Sequence, residues 1–425
     1  MVSEDFLHFV WRFRLFDQLA LVGAEGEPIR TVQVGEHNHD AGPDFLFAKV
    51  RIGGAEWAGH VEIHVNGADW HRHGHHTDKA YNSVVLHVVW ENPTTVRRED
   101  GTAIPTLELR PFVDPDLYRR YRQIVDNLSW IPCSDRMPGV PEPVKFQTLQ
   151  RMIVERMEDR YDRINGILRA CDGDWERVLF AMLCRSFGMK VNAETFLALG
   201  MLVPLTLIRK YADDPLKIEA LFLGQAGFLD RDFAHPHPEK LKHEYQYLKK
   251  LHQLTEADRF AWRFMRMRPH NFPTIRLAQL AALYTAYPSL FSMMVDMPSA
   301  DAFQKALADV DTSPFWHKHF SLEKASSEHT AKLSGPFIAH LIINAFAPVL
   351  FGYGKYTDNP AFREKSMDWL EAVKPESNAI SRKFREIGLR IPSAAESQAV
   401  LQLKKQYCDR KKCLECPIGV KLMLV

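Results

Sequence analysis

Gly42-Pro43-Asp44-Phe45-Leu46-Phe47-Ala48-Lys49-Val50-Arg51-Ile52-Gly53-Gly54, followed by Trp57-Ala58-Gly59-His60-Val61-Glu62-Ile63-His64-Val65, decides the reading of this chain. The first run reads as a strand, Gly53-Gly54 as a hairpin turn, and the second run as the returning strand. Side chains alternate along a strand, so Glu62 and His64 share one face while Val61, Ile63 and Val65 take the other. Asp44, at the start of the first strand, is expected opposite that polar pair. Two carboxylates and an imidazole so placed suit a divalent ion: Mg²⁺ or Mn²⁺ takes one or two carboxylates and leaves positions for water and phosphate. The plainer reading is a Gly-Pro-Asp turn followed by a strand whose polar face meets solvent.

Pro43-Asp44, a gap, and Glu62-x-His64 resemble the PD-(D/E)xK nuclease core, with His64 where that superfamily has Lys. The resemblance implies that Asp44, Glu62 and a backbone carbonyl bind the metal and that residue 64 orients or polarises the attacking water. A histidine with an ordinary pKa of ~6.5 is a base or a ligand rather than a permanent cation, so the mechanism departs from the pattern at this position. The expected order of elements also resembles that core: a helix over 5–16, strands near 29–35, 44–52 and 57–65, a short helix over 77–82, and a β-branched central strand over 83–90. A further strand is expected at 105–109. Over nearly its whole length the chain resembles a family of uncharacterised bacterial proteins. The matching stretches are Gly42–Phe45, Gly59–His64, Asp69-Trp70, Tyr81-Asn82, Arg268–Arg276 and Tyr407–Gly419. That likeness supports the boundaries and implies no chemistry.

The 425 residues, 46% hydrophobic and 25% charged, are ordinary for a globular protein and long enough for two or three domains. No uninterrupted apolar run of membrane-spanning length occurs, and the acidic start Met1-Val2-Ser3-Glu4-Asp5 does not read as a signal peptide; the cytoplasm is the expected compartment. Net charge is +1, but residues 1–110 hold 10 basic and 16 acidic side chains, and the remainder 44 and 37. An acidic metal-binding module on a basic body suits a phosphodiester substrate; an ordinary solvated surface has the same composition.

Beyond Val144 the apolar spacing turns helical, with i, i+4 charge pairs over 146–168. Further helices are predicted at 175–187, 192–209, 216–226, 239–253, 257–266, 274–285, 301–309, 335–348, 361–372, 376–387 and 394–407. Expected caps are Asp174, Thr255 with Asp258, and Ser393 with Glu396. Pro132 through Pro143 is the expected linker. No fixed-period repeat is evident, which favours an irregular bundle over a solenoid.

Ten of the nineteen histidines precede residue 90. His71, His73, His75 and His76 are expected in a loop, which either is plain surface or holds Zn²⁺ through a His-x-His pair. Asp78, Tyr81 and Asn82 would share a face of the following short helix, where Asp78 and Tyr81 would assist catalysis. Glu36 is a possible third carboxylate, and His87, among apolar neighbours, reads as a satisfied buried histidine. Cys408-x4-Cys413-x2-Cys416-Pro417 suits a [4Fe–4S] cluster or a zinc site with one further ligand, for which Cys133 is preferred. It resembles the C-terminal cysteine cluster of iron–sulfur-stapled nucleases and DNA glycosylases. Cys171 and Cys184 read as packed small hydrophobes. Arg263, Arg266, Arg268 and Arg276, with His270, surround a helix break and are candidate nucleic-acid contacts; satisfying helix-end carbonyls is the competing reading. No P-loop, GxGxxG, GxSxG or HExxH pattern is present.

The expected fold class is α+β. A restriction-endonuclease-like α/β domain would occupy 1–130, a linker 131–144, and a helical domain 145–407 closed by the cysteine motif 408–419. The expected function is a Mg²⁺- or Mn²⁺-dependent nuclease or phosphodiesterase acting on DNA or RNA, with no membrane partner. The alternatives are a non-catalytic nucleic-acid-binding or scaffold protein keeping the same fold, and a zinc–histidine hydrolase of a small substrate.

Overall fold

The computed structural model describes residues 2–255 and 260–424 and divides into two compact units, 1–148 with 405–425, and 149–404. The first opens with α1 (Glu4–Arg12), capped by Ser3, whose hydroxyl accepts from Phe6 N. Strands β1 (Ile29–Gln33), β2 (Glu36–His37), β3 (Phe45–Ile52) and β4 (Ala55–Asn66) follow. After α2 (Asp69–Arg72) and two 3₁₀ turns come β5 (Val84–Glu91), a small hairpin of β6 (Val96–Arg97) and β7 (Ala103–Ile104), β8 (Thr106–Glu108), and α3 (Pro115–Val125).

The main sheet runs β1-β3-β4-β5-β8, with β2 paired to β3. Pairing is antiparallel from β1 to β4 and parallel from β4 through β5 to β8. Val84–Val89 are all buried, as expected for a central strand lined by β-branched residues. Phe6, Leu7, Val10 and Trp11 of α1 pack with Phe45, Val61, Ile63, Leu86 and Val88 into one core. β4 must approach the start of β5 closely at Gly59, where an added Cβ would lie 2.5 Å from Ser83 O. A bulge in β3, marked by Phe47 at φ 57°, resets the register so that Phe45 faces Val61. Asp44 is thereby brought beside Glu62.

The fold class is α+β as read from sequence, a mixed sheet followed by a largely helical region. Several elements differ from expectation. The 77–82 helix is a 3₁₀ turn at Lys79–Tyr81, and the histidine loop is ordered as α2 and a 3₁₀ turn at His75–Thr77. The 131–144 stretch does not run free: Ser134–Gly139 forms a 3₁₀ segment, and Ile131, Cys133, Met137 and Val140 are buried. The cysteine motif groups with the N-terminal unit rather than closing the helical one, and ends in the helix Pro417–Met423.

The helical unit carries the expected caps at Asp174, which accepts from Glu176 N and Arg177 N, and at Ser393–Glu396, a full capping box. Asp258 lies outside the described residues, as do residues 257–259 of the helix expected over 257–266; residues 260–264 are not helical. The 335–348 expectation becomes an α–π–α run, Gly335–Leu341, Ile342–Phe346 and Ala347–Tyr356. Gly335–Tyr356 is long and apolar enough to cross a bilayer, yet 78% of its most apolar window is buried inside the protein, as in a core helix.

Arg276 is a correction to the candidate nucleic-acid set. It is buried, donates to Gln279 Oε1 and Asn271 Oδ1 at 2.7 Å each, and stacks 3.3 Å over the Phe337 ring. Arg263, Arg266 and Arg268 are exposed. Arg276→Ala should therefore cost about 3 kcal/mol of stability by unpairing buried amides, whereas Arg268→Ala should stay within about 0.5 kcal/mol. Urea unfolding of the full chain followed by circular dichroism checks this; equal midpoints for the two variants would contradict the buried placement.

Candidate functional site

Asp44 and Glu62 hold each other through the backbone. Asp44 N donates to Glu62 Oε2 at 3.1 Å, and Ile63 N donates to Asp44 Oδ2 at 2.9 Å. The clasp fixes both carboxylates where β3 begins. His8 of α1 places Nε2 3.3 Å from Asp44 Oδ2. His8 was not singled out by the sequence analysis; its one signal is a polar side chain within the apolar run Phe6-Leu7-His8-Phe9-Val10-Trp11.

The second oxygen of Glu62 turns the other way. Oε1 lies 3.2 Å from His75 Nε2 and 3.6 Å from His64 Nε2. Ligand-capable atoms of His64, His73 and His75 all lie within 4.8 Å of one another. His64 Nδ1 is 2.9 Å from His87 Nε2, a bond whose donor depends on the tautomers. The His75 ring stacks on Tyr81 with centroids 3.8 Å apart and meets Trp70 edge-on, so its orientation is fixed by packing. His87 is buried as expected, but only half satisfied: Nδ1 has no hydrogen-bond partner among the described residues.

Val61 through His64 are all buried, so the strand is not the solvent-facing one of the plainer reading. That burial controls the charges. It pushes the Glu62 carboxyl up to about 9, with Asp44 adding to the effect. It pushes His64 down to about 2, helped by His87, His75 and His73, and His87 down to about 3, helped by His75. At neutral pH residue 64 is therefore an uncharged imidazole. Burial opposes the charged form of His8 too, but bonding and charge from Asp44, with Asp5 and Glu4, raise its pKa on balance. The Tyr81 hydroxyl is pushed up to about 12 by burial and by Glu62, so it keeps its proton.

Other expected residues lie elsewhere or act differently. Asp78 is exposed and caps its own turn by accepting from Ala80 N. Asn82 donates to Glu99, and Glu36 is exposed on β2. Cys133, Cys413 and Cys416 are buried within the first unit, with Cys408 half-buried. Burial pushes the Cys133 thiol up to about 12, with Cys416 and Cys413 acting on it electrostatically. The preferred fourth residue thus shares a neighbourhood with two motif cysteines. A Cβ on Gly419 would strike Cys413 O at 2.0 Å, so only glycine lets the last helix start against the motif. Cys171 and Cys184 are buried in the helical unit, as expected of packed thiols.

No curated protein and no solved structure matches the chain. The whole Asp44–Glu62–histidine cluster falls within residues 4–379, which match the family described as "Protein of unknown function (DUF2851)", and the chain belongs to that family.

Proposed function

We propose that the N-terminal unit is a metal-dependent hydrolase of phosphodiester bonds in DNA or RNA. The observation that carries this reading is the convergence of Asp44, Glu62 and His64 where antiparallel β3–β4 pairing gives way to parallel β4–β5 pairing. The order α1, β1, β3, β4, α2, β5, with two-residue β2 set aside, agrees with the helix, three strands, short helix and strand of the PD-(D/E)xK core. That agreement supports a restriction-endonuclease-like origin.

Asp44 and Glu62 are the carboxylates that would hold a divalent ion. Such an ion supplies charge to the phosphate oxygens and acidifies water at neutral pH. Neutral His64 would not replace lysine's positive charge; it offers a lone pair or a single N–H. The cationic role passes to His8, which Asp44 helps to keep protonated. His8 would contact phosphate or give its proton to the leaving oxygen. Tyr81, protonated throughout, would serve as a hydrogen-bond donor. The exposed Arg263, Arg266 and Arg268 are proposed contacts to nucleic-acid backbone.

The uncharged residue 64 also favours a second reading, a nucleic-acid-binding protein without turnover. Asp44→Asn and Glu62→Gln should each lower cleavage of labelled DNA or RNA, assayed with Mg²⁺, Mn²⁺ and Zn²⁺, by about 10²-fold or more, with unchanged circular dichroism. Undiminished cleavage by either variant sinks the hydrolase reading. Wild-type binding with a steep salt slope and no cleavage favours the second.

We further propose that Cys133, Cys408, Cys413 and Cys416 hold a [4Fe–4S] cluster or a zinc ion. Elemental analysis of anaerobically purified protein should find iron with sulfide, or zinc, that is lost in Cys413→Ser. Equal metal content in parent and variant would refute this site.

A further inference from the structure

The carboxylates alone point to an oxygen-loving ion, but the side chains gathered around Glu62 are mostly nitrogen donors. We infer that the ion of this site is a zinc-type transition metal, held by His64, His73 and His75, with Glu62 Oε1 beside two of them.

Four observations carry this. First, the three imidazoles present ligand atoms within 4.8 Å of one another, from β4 and from the turns that follow α2. Second, Glu62 Oε1 stands 3.2 Å and 3.6 Å from two of those nitrogens. Adjacent ligands of tetrahedral zinc at ordinary Zn–N and Zn–O lengths are separated by about 3.3 Å. Third, His64 Nε2 and His75 Nε2 are buried with no hydrogen-bond partner among the described residues. His75 Nε2 is near Glu62 Oε1 without being aligned to bond with it, and His64 Nε2 stands just beyond bonding distance. An orphaned buried polar atom is costly, and two beside one carboxylate oxygen are what ligand atoms look like without their ion. Fourth, His64 is braced from behind. In the tautomer where Nδ1–H donates to His87 Nε2, the lone pair of Nε2 faces Glu62 and His75, which is the usual outer support of a metal-binding imidazole.

The donor set also selects the ion. Three imidazole donors with a carboxylate oxygen beside two of them suit zinc or its neighbours, whereas Mg²⁺ binds oxygen and retains several waters. His73 is exposed, so it completes the set from the solvent side and leaves the ion reachable. Glu62 Oε2 remains bonded to Asp44 N, which keeps Oε1 turned toward the histidines. The inference rests on the hydrolase reading only for the ion's role in turnover.

The test uses the full chain, stripped with a chelator and reloaded with Zn²⁺, in the parent and in His73→Ala and His75→Ala. Elemental analysis should show one equivalent of zinc fewer in each variant than in the parent. Reloading with Co²⁺ should give visible tetrahedral d–d bands that both variants lose. Any thiolate-to-cobalt band in the near ultraviolet reports the cysteines separately and should persist. Because His73 is exposed, its variant should keep the parent's urea midpoint in chelator. Parent-level zinc and an unchanged cobalt spectrum in both variants overturn the assignment. Cleavage is measured in parallel: zinc bound as expected without turnover upholds this site and sinks the hydrolase reading, while turnover with zinc content unaffected by either substitution does the reverse.

Discussion

Everything in the candidate site depends on the reciprocal pair of hydrogen bonds between Asp44 and the strand that carries Glu62. Each residue uses its carboxylate to satisfy a backbone N–H of the other's segment: Asp44 Oδ2 takes Ile63 N, and Glu62 Oε2 takes Asp44 N. A carboxylate bonded to peptide N–H groups cannot swing away without orphaning them. The clasp therefore converts the pairing of β3 with β4 into fixed positions for two acids. It also sets which side each acid faces: Asp44 Oδ2, the oxygen already bonded to Ile63 N, is the one near His8, whereas Glu62 keeps its second oxygen, Oε1, free of the clasp. Asp44 meets the helix through His8, while Glu62 meets the histidine cluster. The β3 bulge at Phe47 and the close approach at Gly59 are the backbone devices that make this geometry possible.

Burial then decides the protonation states. A solvent-facing Glu-x-His strand would carry an ionised acid and a readily titrated imidazole. Covered by Trp70, Tyr81 and the turns after α2, the same residues favour their neutral forms, because a low-dielectric surrounding penalises either charge. Glu62, His64 and His87 therefore favour their uncharged forms together. A divalent cation would reverse this by displacing the Glu62 proton and taking the imidazole lone pairs, the usual coupling of metal binding to proton release.

Much of this was legible in the chain. Apolar patterning marks β3, β4 and β5, and the Gly53-Gly54 turn marks the β3–β4 hairpin, so Asp44 near the Glu62–His64 pair could be expected; the bulge that sets Asp44 beside Glu62 itself left no signal. Capping residues marked the helix Trp175–Phe187 with its observed ends. What escaped were features set by contacts between distant elements. His8 looked like one more residue of a buried helix, since nothing local reveals that its ring reaches β3. The 3₁₀ turns between His75 and Tyr81 last three residues each, too short for any periodicity to show, so the inward aim of His75 and the outward aim of Asp78 could not be read. Arg276 illustrates the same limit: an arginine beside a helix break reads as a surface cation, and only the packing of Phe337, Asn271 and Gln279 shows that it is an interior donor.

Histidine at position 64, where the resembled pattern has lysine, would bear on the proposed mechanism more than any other departure from that pattern. A lysine there would bring a fixed positive charge beside two carboxylates and pull both toward ionisation, favouring a hard ion with a shell of oxygens. A buried histidine backed by a second histidine brings no charge and one directed lone pair. The nearest carboxylate consequently favours its protonated form, and the cation it would select is one that values nitrogen. On the proposed reading, positive charge for a phosphate would come from that ion and from His8, whose charged form the neighbouring Asp44 favours. If the unit is a hydrolase of the resembled kind, histidine at position 64 would move the cationic role to α1 and the metal preference toward the histidine-rich turns, and the ten histidines crowded before residue 90 fit that shift.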